Sequence, residues 1–381
     1  MDTILLFQHM DQYASLLRLE GITSVAKKAG WTVQVFGEKI GEQKLRDLKN
    51  FWHPIGTILS VNDSVDEFDA RLFSPRDTVI LDCFSKDALE RFPSVITDSS
   101  AVTELAAKEL LGGDCASYGF VPWPSFRPWS ENRRQHLSRL LSEHGKTLVS
   151  FRPSRIHHDT HEFQSGLVPW LQSLPKPCGI MAANDHVGLD VVSACRVAGI
   201  QVPFECRVVG VDDNANLCDS SDPTLSSIRL DFRESGVRAA EMLRDLLEGR
   251  GANTIASIPP IGFARRNSSR LFMRTDRNVL KAAEYIRAKA LGPLLPGEVL
   301  KLFPYSRRLA EMRFLEATGN TIQEEIISVR IAHAKHLLLN PFMRLDAVAA
   351  QCGYESDTTF RRIFKRETGF TLREWQKFRG S

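Results

Sequence analysis

Residues 157–162 read His-His-Asp-Thr-His-Glu, a run with enough imidazole and carboxylate donors to ligate zinc or to seat a base. No glutamate stands between its histidines, and the run fits a loop after a strand, so a metal site is not expected there. Gly145-Lys146-Thr147 is similar to the end of a phosphate loop. However, no glycine stands five residues before Gly145, and a strand rather than a helix follows. The chain has no Gly-x-Ser-x-Gly and no Ser/His/Asp ordering suited to acyl transfer. Its seven cysteines are scattered at 83, 115, 178, 195, 206, 218 and 352, with no CxxC pair. They are expected to be reduced, mostly buried thiols in a cytoplasmic protein. Neither an enzyme nor a cofactor is expected.

A different chemistry is concentrated near the carboxyl end. In Ser356–Glu367 (SDTTFRRIFKRE) a helical period puts Phe360, Ile363 and Phe364 on one face. Asp357, Thr358, Arg361, Arg362, Lys365 and Arg366 are left outside, a set able to hold phosphates and base edges. The charge balance agrees. The whole chain carries 49 Lys/Arg against 46 Asp/Glu, a net of +3. Residues 275–381 alone hold 18 basic and 12 acidic side chains, so the rest is mildly acidic and the tail basic. A length of 381 residues with 43% hydrophobic content suggests two or three folded domains. No apolar run approaches the roughly 18 residues that span a bilayer, and no signal peptide is expected.

The helix belongs to a repeat. At an offset of 50 residues, Leu295 pairs with Leu345, Ser306 with Ser356, Phe314 with Phe364 and Thr318-Gly319 with Thr368-Gly369. Each unit reads helix, turn, helix, with a serine as N-cap of the second helix. That is the geometry that lays a recognition helix in the major groove. Between the units, residues 322–339 form a long amphipathic helix fit to couple them. The run CGYESDTTFRRIFKRETGFTLREWQKFR (352–379), with SRRLAEMRFLEATGNTI (306–322) upstream, resembles the AraC family of transcription activators. One departure is Phe303-Pro304 where the second copy has Gly353-Tyr354, which predicts a tighter or differently angled first turn. The expected DNA-binding residues are Ser306, Arg307, Arg308 and Glu311 in the first unit. In the second they are Ser356, Asp357, Thr358, Thr359 and Arg362, with Arg361 and Lys365 nearer to phosphate.

The long amino-terminal body alternates short β-branched runs with amphipathic segments. Examples are the runs 3–7, 31–36, 78–81 and 207–211 and the helical stretches 15–29, 99–111 and 132–144. This pattern predicts parallel β/α/β units whose ligands sit beyond the carboxyl ends of the strands. Residues 179–247 (from GIMAANDHVGLD to EMLRDLL) resemble the second lobe of LacI/GalR-type sensors, which share the periplasmic sugar-binding-protein fold. The match includes Asn184-Asp185, the Gly199-Ile200-x-Val202-Pro203 turn, Asp212-Asp213 and Asp231-Phe232-Arg233. The resemblance implies a sugar cleft faced by Trp129, Arg133, Asn184, Asp185, Asp212 and Phe232. Asp11 and Tyr13, with Asn62-Asp63 beside them, are the candidates from the first lobe. Carboxylates and arginine forks satisfy vicinal hydroxyls in pairs while an aromatic face covers the C–H side. The alternative for Asp212 and Asp231 is a capping role, and for Phe232 a core role. Sensors of this type often carry an arginine at the position of Val187, a departure that leaves the identity of the sugar open.

The expected organisation is thus multidomain. A two-lobed α/β, periplasmic-binding-protein-like sensor spans 1–263, a polar linker 264–276, and an all-α double helix-turn-helix reader 277–381. The combination resembles bacterial xylose-operon activators. It implies a homodimer on direct-repeat operator DNA, an effector such as D-xylose, and RNA polymerase as a further partner. The alternatives are the same scaffold sensing another sugar or a non-sugar metabolite, and more remotely a sugar-binding module or a sugar-acting enzyme.

Overall fold

The computed structural model of the chain describes residues 2–8, 13–37, 41–60, 72–83, 86–152, 160–250, 254–270, 277–338, 340 and 343–379. Asp11, Asn62, Asp63, His157, His158 and Asp159 fall outside the described residues.

The first lobe is built from β1 (Asp2–Phe7), α1 (Tyr13–Ala29), β2 (Trp31–Phe36), α2 (Glu42–Trp52), β3 (Gly56–Ser60), β4 (Thr78–Leu81), α3 (Lys86–Arg91) and β5 (Ser94–Thr97). The chain then crosses to the second lobe. It forms α4 (Ser99–Leu111), β6 (Ser117–Val121), α5 (Pro128–Glu143), β7 (Leu148–Ser150), α6 (Thr160–Ser173), β8 (Cys178–Ala182), α7 (Asp185–Val197), β9 (Cys206–Asp212), α8 (Ala215–Cys218) and β10 (Ser226–Arg229). It returns to the first lobe for α9 (Phe232–Leu247) and β11 (Ile255–Ile258), and ends the body in the second with β12 (Gly262–Ala264). Two six-stranded sheets result, in the orders β11-β5-β4-β3-β1-β2 and β12-β10-β9-β8-β6-β7. Among the described residues, only the β10–β12 pairing is antiparallel. Ile4, Leu5 and Leu6 of β1 and Val208 and Val209 of β9 are fully buried, as strands covered on both faces must be.

Contact between α1 and α9 closes the first lobe, and two glycines permit it. A Cβ on Gly21 would stand 2.1 Å from the Arg233 carbonyl oxygen, and one on Gly236 would stand 2.2 Å from that of Arg18.

The stretch expected to open a linker at Ala264 does not do so. β12 continues the second sheet past Ile258-Pro259-Pro260, and Ser268 and Ser269 are fully buried in a single 3-10 turn at Asn267–Ser269. Buried Arg207 donates to the Ser269 carbonyl at 2.6 and 2.9 Å and to the Glu109 and Leu110 carbonyls at the end of α4. Arg265 is paired with Glu109, and Arg266 with Asp213 and Asp219. The second lobe therefore extends to Arg270.

The reader comprises α10 (Arg277–Lys289), α11 (Pro296–Leu300), α12 (Arg307–Thr318), α13 (Ile322–Leu337), α14 (Val348–Gln351), α15 (Asp357–Thr368) and α16 (Leu372–Arg379). Each half has its own core, and α13 serves both. Ile322 and Ile326 pack with Val279, Ile286 and Phe314, while Ile327, Ile331 and Ala334 pack with Phe360, Phe364 and Trp375. The first helix of the second unit is short, its helical turns confined to Val348–Gln351. Gly353 is left-handed (φ 72°), and a Cβ there would meet the Gly292 carbonyl at 2.8 Å. In the first unit Phe303 is instead buried in the core, 5.6 Å from the Tyr305 ring.

Candidate ligand cleft and nucleic-acid interface

Between the lobes lies a cavity of about 340 Å³. It sits at the carboxyl ends of β4, β5, β8 and β9, where parallel sheets present their loops. Of the residues expected from sequence, Tyr13, Trp129, Arg133, Asn184, Asp185, Asp212 and Phe232 all line it. Asp11 cannot be placed, lying outside the described residues.

Their roles differ. The Arg133 guanidinium is buried, lies 4.9 Å from the Trp129 ring centre and donates to the Ala183 carbonyl at 2.5 Å. Burial lowers its pKa, an effect opposed by Asp212 and then Asp185. Asn184 caps α7, its side-chain oxygen accepting from Val187 N at 3.1 Å. Asp185 acts as an internal strut: Ser227 Oγ donates to one carboxylate oxygen at 2.5 Å and Asn214 N to the other at 2.8 Å. Asp212 faces the cleft with backbone φ at 113°, a conformation side chains rarely adopt. Burial first, then the neighbouring Asp185, push its carboxyl up to about 8. Asp231 caps α9 through Glu234 N, so the capping alternative holds for it. Val187 is buried in the second-lobe core, so no charge enters the cleft from that position.

Several lining residues were not anticipated. Arg18 and Asp82, both buried, form an ion pair in the first-lobe wall. Arg18 also lies 5.0 Å from the Phe232 ring centre, and Asp82 accepts from Thr97 N and Thr97 Oγ1, each at 3.1 Å. Arg18 is hidden mid-helix, whereas Asp82 follows a strand, a position that the strand-end rule could have flagged. Trp123, Arg127, His186 and Asn214 also line the cleft. Among the described residues, Arg133 Nε, Trp123 Nε1 and Asn214 Oδ1 are buried here without a hydrogen-bond partner. Two donors and one acceptor left bare between the lobes suit a ligand rich in hydroxyls.

The reader presents the expected helices outward. Ser306 accepts from Leu309 N at 3.4 Å and Ser356 from Thr359 N at 3.2 Å, so each recognition helix starts at its serine. On α12, Arg307 and Arg308 are exposed, and Arg307 is paired with Glu311 at 2.9 Å. On α15, Asp357 and Arg361 pair at 2.6 Å, while Thr358, Arg362 and Lys365 are exposed and Thr359 is half-buried. Buried Arg330 of α13 donates to the Ala290 and Gly292 carbonyls at 2.7 and 2.9 Å and lies 4.8 Å from the Tyr354 ring centre. It ties the end of α10 to the second unit.

Sensor and reader also touch. Phe204, from the loop before β9, packs into the first reader core. Arg287 of α10 donates to the Val202 carbonyl at 3.2 Å, Gln201 binds Glu284, and Arg270 pairs with Glu325. A hollow of about 1040 Å³ lies beside this seam, walled largely by charged and polar side chains.

Residues 107–269 match the family model of a periplasmic binding protein-like domain, and residues 300–377 that of a helix-turn-helix domain. The chain is 32% identical over 294 residues to the xylose operon regulatory protein of Haemophilus influenzae, covering 76% of each. Against the protein of that name from Escherichia coli K12 it is 29% identical over 296 residues, covering 75% of each. Among solved structures, the xylose-binding transcription activator XylR superposes over 100% of this chain and 98% of its own, with TM-score 0.74 and 24% identity. A Lac repressor dimer bound to operator matches 70% of this chain and 93% of its own at TM-score 0.58 and 19% identity, a likeness of fold in the sensor. With a two-lobed cleft in front of a double helix-turn-helix, the chain belongs to the family of xylose operon regulatory proteins, AraC-type transcription regulators that read DNA in response to a sugar.

Proposed function

We propose that the effector is D-xylose or a closely related sugar, bound between the lobes, and that the protein activates transcription as a cytoplasmic homodimer on paired direct-repeat half-sites. The observation that carries the ligand assignment is the set of bare polar atoms, Arg133 Nε, Trp123 Nε1 and Asn214 Oδ1, among the aromatic faces of Trp129 and Phe232. A pyranose would meet Asp212 and Arg133 from the second lobe and the Arg18–Asp82 pair from the first. Contacts made to both lobes at once favour the closed body, and only such differential binding can shift a conformational equilibrium. Because Phe204 and Arg287 fasten the reader to the second lobe, lobe closure carries the reader with it. Sensor residues 1–270 and reader residues 277–379 are the units that fit these contacts. Base reading falls to Arg307, Arg308, Glu311, Asp357, Thr358, Thr359 and Arg362, with Arg361 and Lys365 toward phosphate; RNA polymerase is the further partner of an activator. No turnover of the sugar is expected.

The test is a thermal-shift panel of pentoses and hexoses on the full chain. D-xylose at a hundred times its dissociation constant should add about 2.7 kcal/mol of stability. A shift with another sugar and none with pentoses would reassign the effector.

A further inference from the structure

Trp123 and Arg127 form one end wall of the sugar cleft. On the far side of these two residues lies a second cavity, about 540 Å³, and both residues line both cavities. It includes Ser150, at the end of β7, and the loop that follows β6. In the second sheet the order runs β9-β8-β6-β7, so the two cavities occupy successive positions along one sheet edge. That edge is where parallel sheets bind ligands.

The lining has the chemistry of a carbohydrate subsite. Phe126 is 72% exposed at this cavity, a large apolar ring kept in water where a ring face is useful to a ligand. Ser125 Oγ is buried in the wall with no partner among the described residues, like Trp123 Nε1 in the shared wall. The exposed Arg152 guanidinium supplies a fork of donors. A phosphate would call for several free cationic groups converging on one point. Of the three arginines here, Arg134 is already neutralised by Glu131 through two hydrogen bonds of 2.5 and 2.7 Å, Arg127 is shared with the cleft, and Glu131 itself faces the cavity. A neutral polyhydroxylated ring suits this mixture better than an anion.

We propose that the sensor accepts a glycoside longer than one ring, with the second sugar of a xylose disaccharide seated in the cavity between Trp123 and Arg152. This rests on the reading of the interlobe cleft as the site of the first ring. The probes are D-xylose and xylobiose, titrated calorimetrically into the full-length protein and into a Phe126→Ala/Arg152→Ala double variant. Both substituted side chains are exposed, so the fold is retained. Xylobiose is expected to bind about tenfold more tightly than D-xylose, an advantage of one decade in dissociation constant. The double variant should lose that advantage while D-xylose binds it unchanged. The proposal is overturned if xylobiose binds no more tightly than D-xylose, or if the double variant keeps the difference. If neither sugar binds the unaltered protein, the cleft assignment itself fails and this proposal with it.

Discussion

The guanidinium of Arg287, on the first helix of the reader, stands 5.5 Å from the centre of the Phe204 ring in the sensor. Phe204 is only 9% exposed and belongs to the same apolar cluster as Val279, Ile286 and Phe314. A sensor side chain thus helps to fill the core of the first helix-turn-helix unit. Burial lowers the Arg287 pKa, opposed by Asp222, Glu325 and Glu284, so acidic groups from both domains face this one cation.

Phe204→Ala should therefore destabilise the reader by about 3 kcal/mol, the usual cost of removing a buried aromatic ring. Calorimetry should show the reader melting ahead of the sensor, with sugar affinity unaltered. An unshifted melting profile would mean that the domain contact contributes nothing to stability.

The cleft carboxylates give the sugar-free protein a pH dependence. Burial, with Asp213 adding, raises Asp185 to about 7, and burial with Asp185 raises Asp212 to about 8, against an ordinary 3.8. The folded state then holds more protons than the unfolded one between about pH 4 and 8, and stability falls as pH rises through that window. Below it the contribution is fully present; above it, it is lost. Urea midpoints at pH about 5 and about 8 should differ less in Asp212→Asn than in the unaltered protein. Equal differences in the two proteins would contradict the assignment.

Gly21→Ala tests the closure of the first lobe. On an open helix the change would stabilise by up to about 1 kcal/mol. Here the new Cβ would overlap the Arg233 carbonyl, and overpacking of this kind costs about 2 kcal/mol. Urea denaturation should show a net loss, and a net gain would mean that α1 and α9 are not held in this contact.

On the reader, Arg362→Ala removes an exposed side chain of α15. Fluorescence anisotropy should show specific binding weakened by roughly 1–3 kcal/mol with little change on scrambled duplex, if Arg362 reads a base. An equal loss on both duplexes would make it a phosphate contact. Ser356→Ala should cost about 1 kcal/mol of reader stability by removing the N-cap.

Much of this architecture could be read in advance because local patterns sufficed. The alternation of strands and helices indicated two α/β lobes, and the 50-residue repeat indicated two helix-turn-helix units with serine caps. Asn184, Asp212 and Phe232 stood in a recognisable order. What escaped was created by contacts distant in sequence. Ser268 and Ser269 look like linker residues until Val208 is placed beside the first, and Arg207 and Glu109 beside the second. Arg18 looks like an ordinary helix arginine until Asp82 and Phe232 close around it. Asp185 was expected to face the sugar, and it does line the cleft, but Ser227 and Asn214 occupy both its oxygens. Phe204 follows a proline turn, and nothing local says that it enters the core of another domain.

The central claim is that sugar binding in the cleft changes DNA binding by the reader. The direct measurement starts by selecting a high-affinity duplex from a random library with the full chain. Its dissociation constant is then determined by anisotropy with and without saturating D-xylose. Coupling of the size usual between linked sites predicts a change of about tenfold, tighter with sugar, that shrinks in Asp212→Asn. An unchanged dissociation constant, in a protein shown calorimetrically to be saturated with sugar, would contradict the account.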